Sequence, residues 1–336
     1  MSNIKYLGNK GLVNLGNTCY MNSILQCLSH LLIFHPKNNE FLEECTEITE
    51  DSLMHEWYRF QKFMWENNDN DTINPKILLL NFRQNCVKYN SWFESFDQND
   101  IDEFLILFLD YLHKSVPCTM EIISKNYHNN KDIDKIIKKS QNIWTKFYGD
   151  DFSYIVEKFY SQLLCYTTCP KCNYYTTNHD PIQVISLEIK SSCKSIYNCL
   201  NNYTKSSCLD EQNLWTCDNC NQKVKSQKKT LLWKTSDIII LSLKRFTNAS
   251  KINTFIEYPE ILQLNEYNLN YGTNKNNNYS LQSYAVHVGG LDSGHYYSVC
   301  KNNLVNKWYK YDDDTVTNHD DNYLHDLPYV LFYKRC

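Results

Sequence analysis

The chain has 336 residues, 42% of them hydrophobic and 14% aromatic, and a formal net charge of −4. That length gives one large domain or two small ones with ample core, and that composition excludes a disordered chain. The acidic balance argues against sequence-independent binding to a polyanion, so no nucleic-acid partner is expected.

Met1 to Tyr6 carry no secretory apolar core, and no apolar run reaches the roughly 20 residues of a membrane span. The chain is therefore expected inside the cell, in cytoplasm or nucleus, with no membrane partner. Fifteen cysteines, an odd count without an export signal, suit reduced thiols and metal ligands better than a disulfide framework.

The first predicted element is a helix starting near Cys19. Met21, Ile24, Leu25 and Leu28 recur at helical spacing, and Asn17 or Thr18 can supply the N-cap oxygen. A thiol in the first turn meets unpaired N–H groups and the positive end of the helix dipole, which favour thiolate. Asn14, five residues upstream, has an amide able to donate to a developing oxyanion. Taken alone, however, Cys19 reads first as a buried structural cysteine, as does Cys27 on the same helix.

The pattern stays mainly helical to about Lys139. Its clearest helix is Asp100–His113, with Ile101, Phe104, Leu105, Phe108 and Leu112 as the apolar stripe. Asn67–Thr72 and His128–Asp132 read as surface stretches. From about Asp151 the period shifts towards two. Phe159–Thr168, Ile182–Ile189 and Leu231–Phe246 read as strands, the last with the buried run Ile238–Leu241. After an Asn-rich loop at Gly272–Asn278, the segments Leu281–Val288, His295–Val299, Trp308–Asp312 and Tyr329–Lys334 read as strands of a mostly antiparallel sheet. Helices first and strands afterwards make an α+β fold.

Cys169-x-x-Cys172 and Cys217-x-x-Cys220 are two knuckles with 44 residues between them. Together they supply four thiolates for a tetrahedral Zn²⁺, which would be structural because no coordination position stays open. A redox pair and chance in a Cys-rich chain are the competing readings. Cys165, Cys193, Cys199 and Cys208 are the rival ligands.

Glycine is scarce, and five of the eight, Gly11, Gly16, Gly289, Gly290 and Gly294, sit around two segments. The second segment, Tyr284 to Ser298, sets His287 and His295 about a Gly-rich loop. Trp308-Tyr-Lys-Tyr-Asp312-Asp313-Asp314 follows. Adjacent strands could bring Asp312 beside His295 and fix its tautomer, freeing the other nitrogen for a thiol proton. His287 reads as a supporting residue. An activatable cysteine, a distant histidine, an acid and an amide donor match the Cys–His–acid plan for acyl transfer.

These segments resemble the motifs of the ubiquitin-specific protease family of papain-like deubiquitinases. Gly11 to Ser23 is similar to that family's Cys box, and Tyr284 to Tyr296 with Trp308 to Asp313 to its His box. Tyr329 to Tyr333 resembles the final strand. Gln98-Asn99-Asp100 resembles the Gln-Gln-Asp box, with Asn99 departing from it.

The resemblance implies an N-terminal extension (1–10) and one catalytic domain (11–336). Within the domain it implies a helical thumb (11–148), zinc-bearing β fingers (149–232) and a β-sheet palm (233–336). It further implies Cys19 as nucleophile, His295 as base then acid, Asp312 as orienting residue and Asn14 in the oxyanion hole. Asp313 falls at a second acidic position that helps orient the base in some members. Gln98 and Asp100 would line the channel for the ubiquitin tail, and Gly289, Gly290 and Gly294 would belong to a blocking loop. Ubiquitin and ubiquitinated proteins are the implied partners, zinc the implied structural cofactor, and a monomer the expected state. The alternatives are a silent ubiquitin-binding scaffold and a protease for another ubiquitin-like modifier.

Overall fold

A computed structural model of the chain describes residues 7–336 apart from 39, 42, 44–51, 67–74, 90–99, 117–130, 248, 269–275 and 291–292. Asn67–Thr72, Gln98 and Asn99 lie outside the described residues, as do parts of His128–Asp132 and Gly272–Asn278.

Helices come first: α1 (Cys19–Ser29), a 3₁₀ turn (Leu32–Phe34), α2 (Leu53–Trp65), α3 (Pro75–Tyr89), α4 (Ile101–Lys114), α5 (Lys131–Tyr148) and α6 (Tyr154–Phe159). Asp100 caps α4, its carboxylate accepting the Asp102 and Glu103 N–H groups at 2.8 and 3.2 Å. The five stripe residues of α4 are fully buried, whereas Ile106 on the opposite face is exposed. They pack on a mass of rings that includes Phe34, Trp57, Phe60 and Phe82. Burying each such ring contributes about 1.5–3 kcal/mol.

The strands form two main sheets. β1 (Ser161–Thr168), β2 (Tyr175–Ile182), β4 (Ser207–Cys208) and β7 (Gln227–Lys234) make a four-stranded sheet in the order β2-β1-β7-β4. A separate short ribbon of β5 (Trp215–Thr216) and β6 (Lys223–Val224) carries the second cysteine knuckle between its strands.

The larger sheet holds β3 (Val184–Glu188), β8 (Ile238–Lys244) and β10 (Asn278–Gly289). Completing it are β11 (Gly294–Asn302), β12 (Lys307–Asp312), β13 (Thr315–Asn318) and β14 (Pro328–Arg335). Its order is β13-β12-β11-β10-β14-β8-β3, with β9 (Ile261–Gln263) on β10. β3 pairs with β8 in parallel, so a strand from within 149–232 belongs to the larger sheet.

That sheet is covered on both faces. Ile238, Ile240, Val330 and Phe332 join the helical core. Ile239, Leu241, Leu331 and Tyr333 face a second core closed by α7 (Ile196–Thr204). Covering on both faces is why Ile238–Leu241 is apolar throughout rather than alternating.

Leu231–Phe246 is not one strand. The chain leaves the small sheet at Thr235 and enters the large one at Ile238. The turn is fixed by the Ser236 hydroxyl, which meets Ser161 Oγ at 2.9 Å and donates to Ile238 O at 2.6 Å. Phe159 likewise ends α6 instead of opening β1.

Candidate active site

α1 is buried on every side, including its polar residues Asn22, Ser23, Gln26 and Ser29. Two of those polar groups hold the extended segment before the helix. Gln26 Nε2 donates to Lys10 O at 2.7 Å, and Asn22 Nδ2 reaches Leu12 O at 3.2 Å. Thr18 is the N-cap but makes no side-chain cap bond. Its N–H donates instead to Asn14 Oδ1 at 3.1 Å, and its hydroxyl accepts the Leu15 N–H at 2.9 Å. The turn passes through left-handed backbone at Gly16 and Asn17.

Cys19 stands at the first position of α1 and is 3% exposed. Burial pushes its thiol up; backbone N–H groups, foremost that of Tyr296, oppose this, and the Asp313 charge adds to the rise. The N–H groups of the helix start favour thiolate, as the position suggests, but burial outweighs them. A base has to take the proton.

β11 packs on α1, and the Tyr296 backbone touching the Cys19 thiol is the residue after His295. His295 Nε2 meets Asp312 Oδ1 at 2.6 Å, which leaves Nδ1 to face a thiol. Lys310 Nζ holds the other Asp312 oxygen at 2.8 Å. Burial works against the Asp312 charge, but the hydrogen bonds from Lys310 and His295 outweigh it and keep the carboxyl below its usual range.

Asp313 is the first residue of the β12–β13 turn, in left-handed backbone, φ 51°. Its carboxylate accepts Asn14 Nδ2 at 2.9 Å and Asn22 Nδ2 at 2.8 Å, and its carbonyl accepts Leu12 N at 2.8 Å. The Asn14 amide is thus held at both ends. Its oxygen faces the turn and its nitrogen faces Asp313, with one N–H to spare. The contacts of Asp313 are with asparagine amides, where the motif had pointed to a role beside the base. Asn22, spaced one turn from Cys19 and read only as part of a helix, is the anchor that sequence reasoning missed.

Asp100, besides capping α4, accepts the Tyr329 hydroxyl at 3.1 Å, which ties the helical layer to the last strand. Asp102 beside it bonds Ser242 on β8, and its other oxygen is buried without a partner. Burial raises that carboxyl to about 7. Gly289 and Gly294 are not loop residues. Gly289 ends β10 and Gly294 begins β11, the two paired with each other, and Gly290 starts the connection between the strands. A Cβ on Gly294 would come within 1.9 Å of His287 Nε2. His287 supports the hairpin through its ring, edge-on to Phe246 and 4.7 Å from the Tyr296 ring.

The four knuckle cysteines converge, all four sulfurs lying within 4.8 Å of one another. Cys172 and Cys217 are 3.6 Å apart and Cys169 and Cys220 3.9 Å, close to the ~3.8 Å edge of a tetrahedron with Zn–S bonds near 2.3 Å. Both knuckles turn alike: Asn173 N donates to Cys169 O and Asn221 N to Cys217 O, each asparagine in left-handed backbone. A hydrogen bond with the Asn219 side chain, followed by one with the Tyr174 backbone, lowers the Cys172 thiol to about 6. The donor set fits a thiophilic divalent ion. Cys165, Cys193, Cys199 and Cys208 stay outside it, and all described cysteines are free thiols.

Comparison with known proteins agrees with this geometry. The family model described as "Ubiquitin carboxyl-terminal hydrolase" matches residues 10–333. "Ubiquitin carboxyl-terminal hydrolase Usp2" of Drosophila melanogaster is 30% identical over 97% of the chain, and "Ubiquitin carboxyl-terminal hydrolase 2" of Homo sapiens 29% over the same share. The chain spans 34% of the fly protein and 55% of the human one. Among solved structures, "Structure of the SAGA Ubp8/Sgf11/Sus1/Sgf73 DUB module bound to ubiquitin aldehyde" is similar over the whole chain. The TM-score is 0.78 at 25% identity, with 71% of that chain covered.

Proposed function

This chain belongs to the ubiquitin carboxyl-terminal hydrolase family, and from that premise we propose that it is a thiol-dependent deubiquitinase. Its target bond is the one following the C-terminal glycine of ubiquitin. The observation that carries the reading is the joint placement of Cys19, the His295–Asp312 pair and the Asn14 amide at one end of α1.

His295 takes the Cys19 proton on Nδ1 while Asp312 holds Nε2–H. The thiolate attacks the glycine carbonyl carbon. The Cys19 N–H and the spare Asn14 N–H receive the oxyanion, and Asp313 aims Asn14 at it. As the C–N bond breaks, His295 returns the proton to the leaving lysine amine. Water, deprotonated by His295, then cleaves the thioester and frees the ubiquitin carboxylate and Cys19. Asp100, Gly289, Gly290 and Gly294, with Gln98, are read as walls of the channel for the ubiquitin tail.

Zinc, when bound by Cys169, Cys172, Cys217 and Cys220, would cross-link the two knuckles and take no part in the chemistry. The thumb, fingers and palm division, a monomeric state, the absence of a nucleic-acid partner and an intracellular setting belong to the same proposal. Among the described residues no helix is long and apolar enough to cross a membrane.

Release of a fluorophore from the ubiquitin C-terminus tests the activity. Wild type should turn over, and Cys19→Ala and His295→Ala should not. A folded wild type without turnover would refute it. A modifier panel separates ubiquitin from its relatives as substrate.

A further inference from the structure

β10 is paired on both sides along most of its length. β11 runs beside it from Ser283↔Cys300 to Gly289↔Gly294, while β14 runs beside it only as far as Val286↔Pro328. Pro328 is the first residue of β14 and has no N–H to offer. The last three residues of β10, His287 to Gly289, therefore overhang the sheet, and it is their pairing with β11 that leads into His295.

Lys251 occupies the missing strand's place. Its Nζ donates to His287 O at 2.7 Å and to Gly289 O at 3.1 Å, two carbonyls that alternate backbone geometry presents on the same edge. The lysine is itself fixed. Lys251 and Phe246 form a β-bridge, and Ile252 N donates to Arg245 O at 2.6 Å. Arg245, 1% exposed, donates to Ile252 O, Thr254 O and Pro328 O, tying the Lys251 loop to the start of β14. Phe246 packs edge-on against His287, whose imidazole is the cross-strand neighbour of Gly294.

We propose that Lys251 is a positioning residue for the reaction: its ammonium clamps the β10 overhang and so holds His295 in line between Cys19 and Asp312. This rests on reading Cys19 and His295 as the reacting pair. A neutral side chain at 251 leaves two edge carbonyls to water and lets the hairpin shift, and displacement of a base by an ångström or less is felt mainly in the chemical step.

The test uses Lys251→Met and Lys251→Arg in the full chain. Lys251→Met should lower kcat for a ubiquitin–fluorophore substrate about tenfold while KM stays within about twofold. Lys251→Arg should restore most of it, because a guanidinium also offers two N–H donors to paired carbonyls. Amide exchange at His295 and Tyr296 should quicken about tenfold in Lys251→Met at unchanged melting temperature. The proposal is overturned if Lys251→Met keeps full kcat, if Lys251→Arg is equally impaired, or if exchange at His295 is unaltered. The exchange arm also reads the clamp should wild type prove inactive on ubiquitin, which would sink the catalytic reading instead.

Discussion

Replacing Asp313 with alanine removes the acceptor of two amides at once, Asn14 Nδ2 at 2.9 Å and Asn22 Nδ2 at 2.8 Å. A hydrogen bond to a charged acceptor contributes about 1.5–3 kcal/mol. Asn14 would keep its anchors on Gly16 N and Thr18 N, so its nitrogen end swings while its oxygen end stays. The expected fall in kcat is about 10- to 100-fold, smaller than the roughly 10²–10³ that accompanies outright loss of an oxyanion donor in Asn14→Ala. Because Asp313 acts through Asn14, the double variant should be no slower than Asn14→Ala alone. The charge of Asp313 also raises the Cys19 thiol, so its removal should shift the acid limb of Cys19 alkylation to lower pH. Steady-state cleavage of a ubiquitin–fluorophore and alkylation across pH read both effects. Full kcat in Asp313→Ala, or multiplicative loss in the double variant, would refute the reasoning.

Three further outcomes are expected. Asp102 titrates at about 7 when folded and near 3.8 when unfolded, so its cost to stability is absent in acid and grows as pH rises through that window. Asp102→Asn should therefore be more stable than wild type at pH 8, by at most ~4 kcal/mol, and about equally stable at pH 3.5; an effect independent of pH would contradict this. Metal analysis should find one zinc per wild-type chain and none in Cys172→Ser, which should also melt lower; a wild type without zinc, or unchanged zinc content in the variant, would exclude the four-cysteine site. Gly294→Ala drives a methyl into His287, so kcat/KM should drop with the fold intact, and an unimpaired variant would deny the close approach.

Much of this molecule was legible from the chain. The α4 stripe, the buried β8 run and the two knuckles each carry a local pattern that tertiary packing reinforces. Cys19 needed its distant partners: a cysteine at a helix start is ambiguous until the pairing of Val288 with His295 and of Ser298 with Tyr311 sets His295 near Asp312. The burial that raises the Cys19 thiol depends on the residues packed over α1, which no helical pattern records. The break at Thr235–Asp237 is set by Ser236, whose partners lie up to 77 residues away. The contacts of Asp313 with Asn22 and Asn14 and of Lys251 with His287 join residues 291, 299 and 36 positions apart in sequence, out of reach of any local motif.

The most direct test is the covalent one. Incubated with ubiquitin carrying a C-terminal electrophile, the folded wild-type chain should gain the mass of one ubiquitin, with Cys19 as the modified residue in the digest, and Cys19→Ala should gain none. An unmodified wild type, or an adduct on another cysteine, would contradict the assignment of Cys19 as nucleophile.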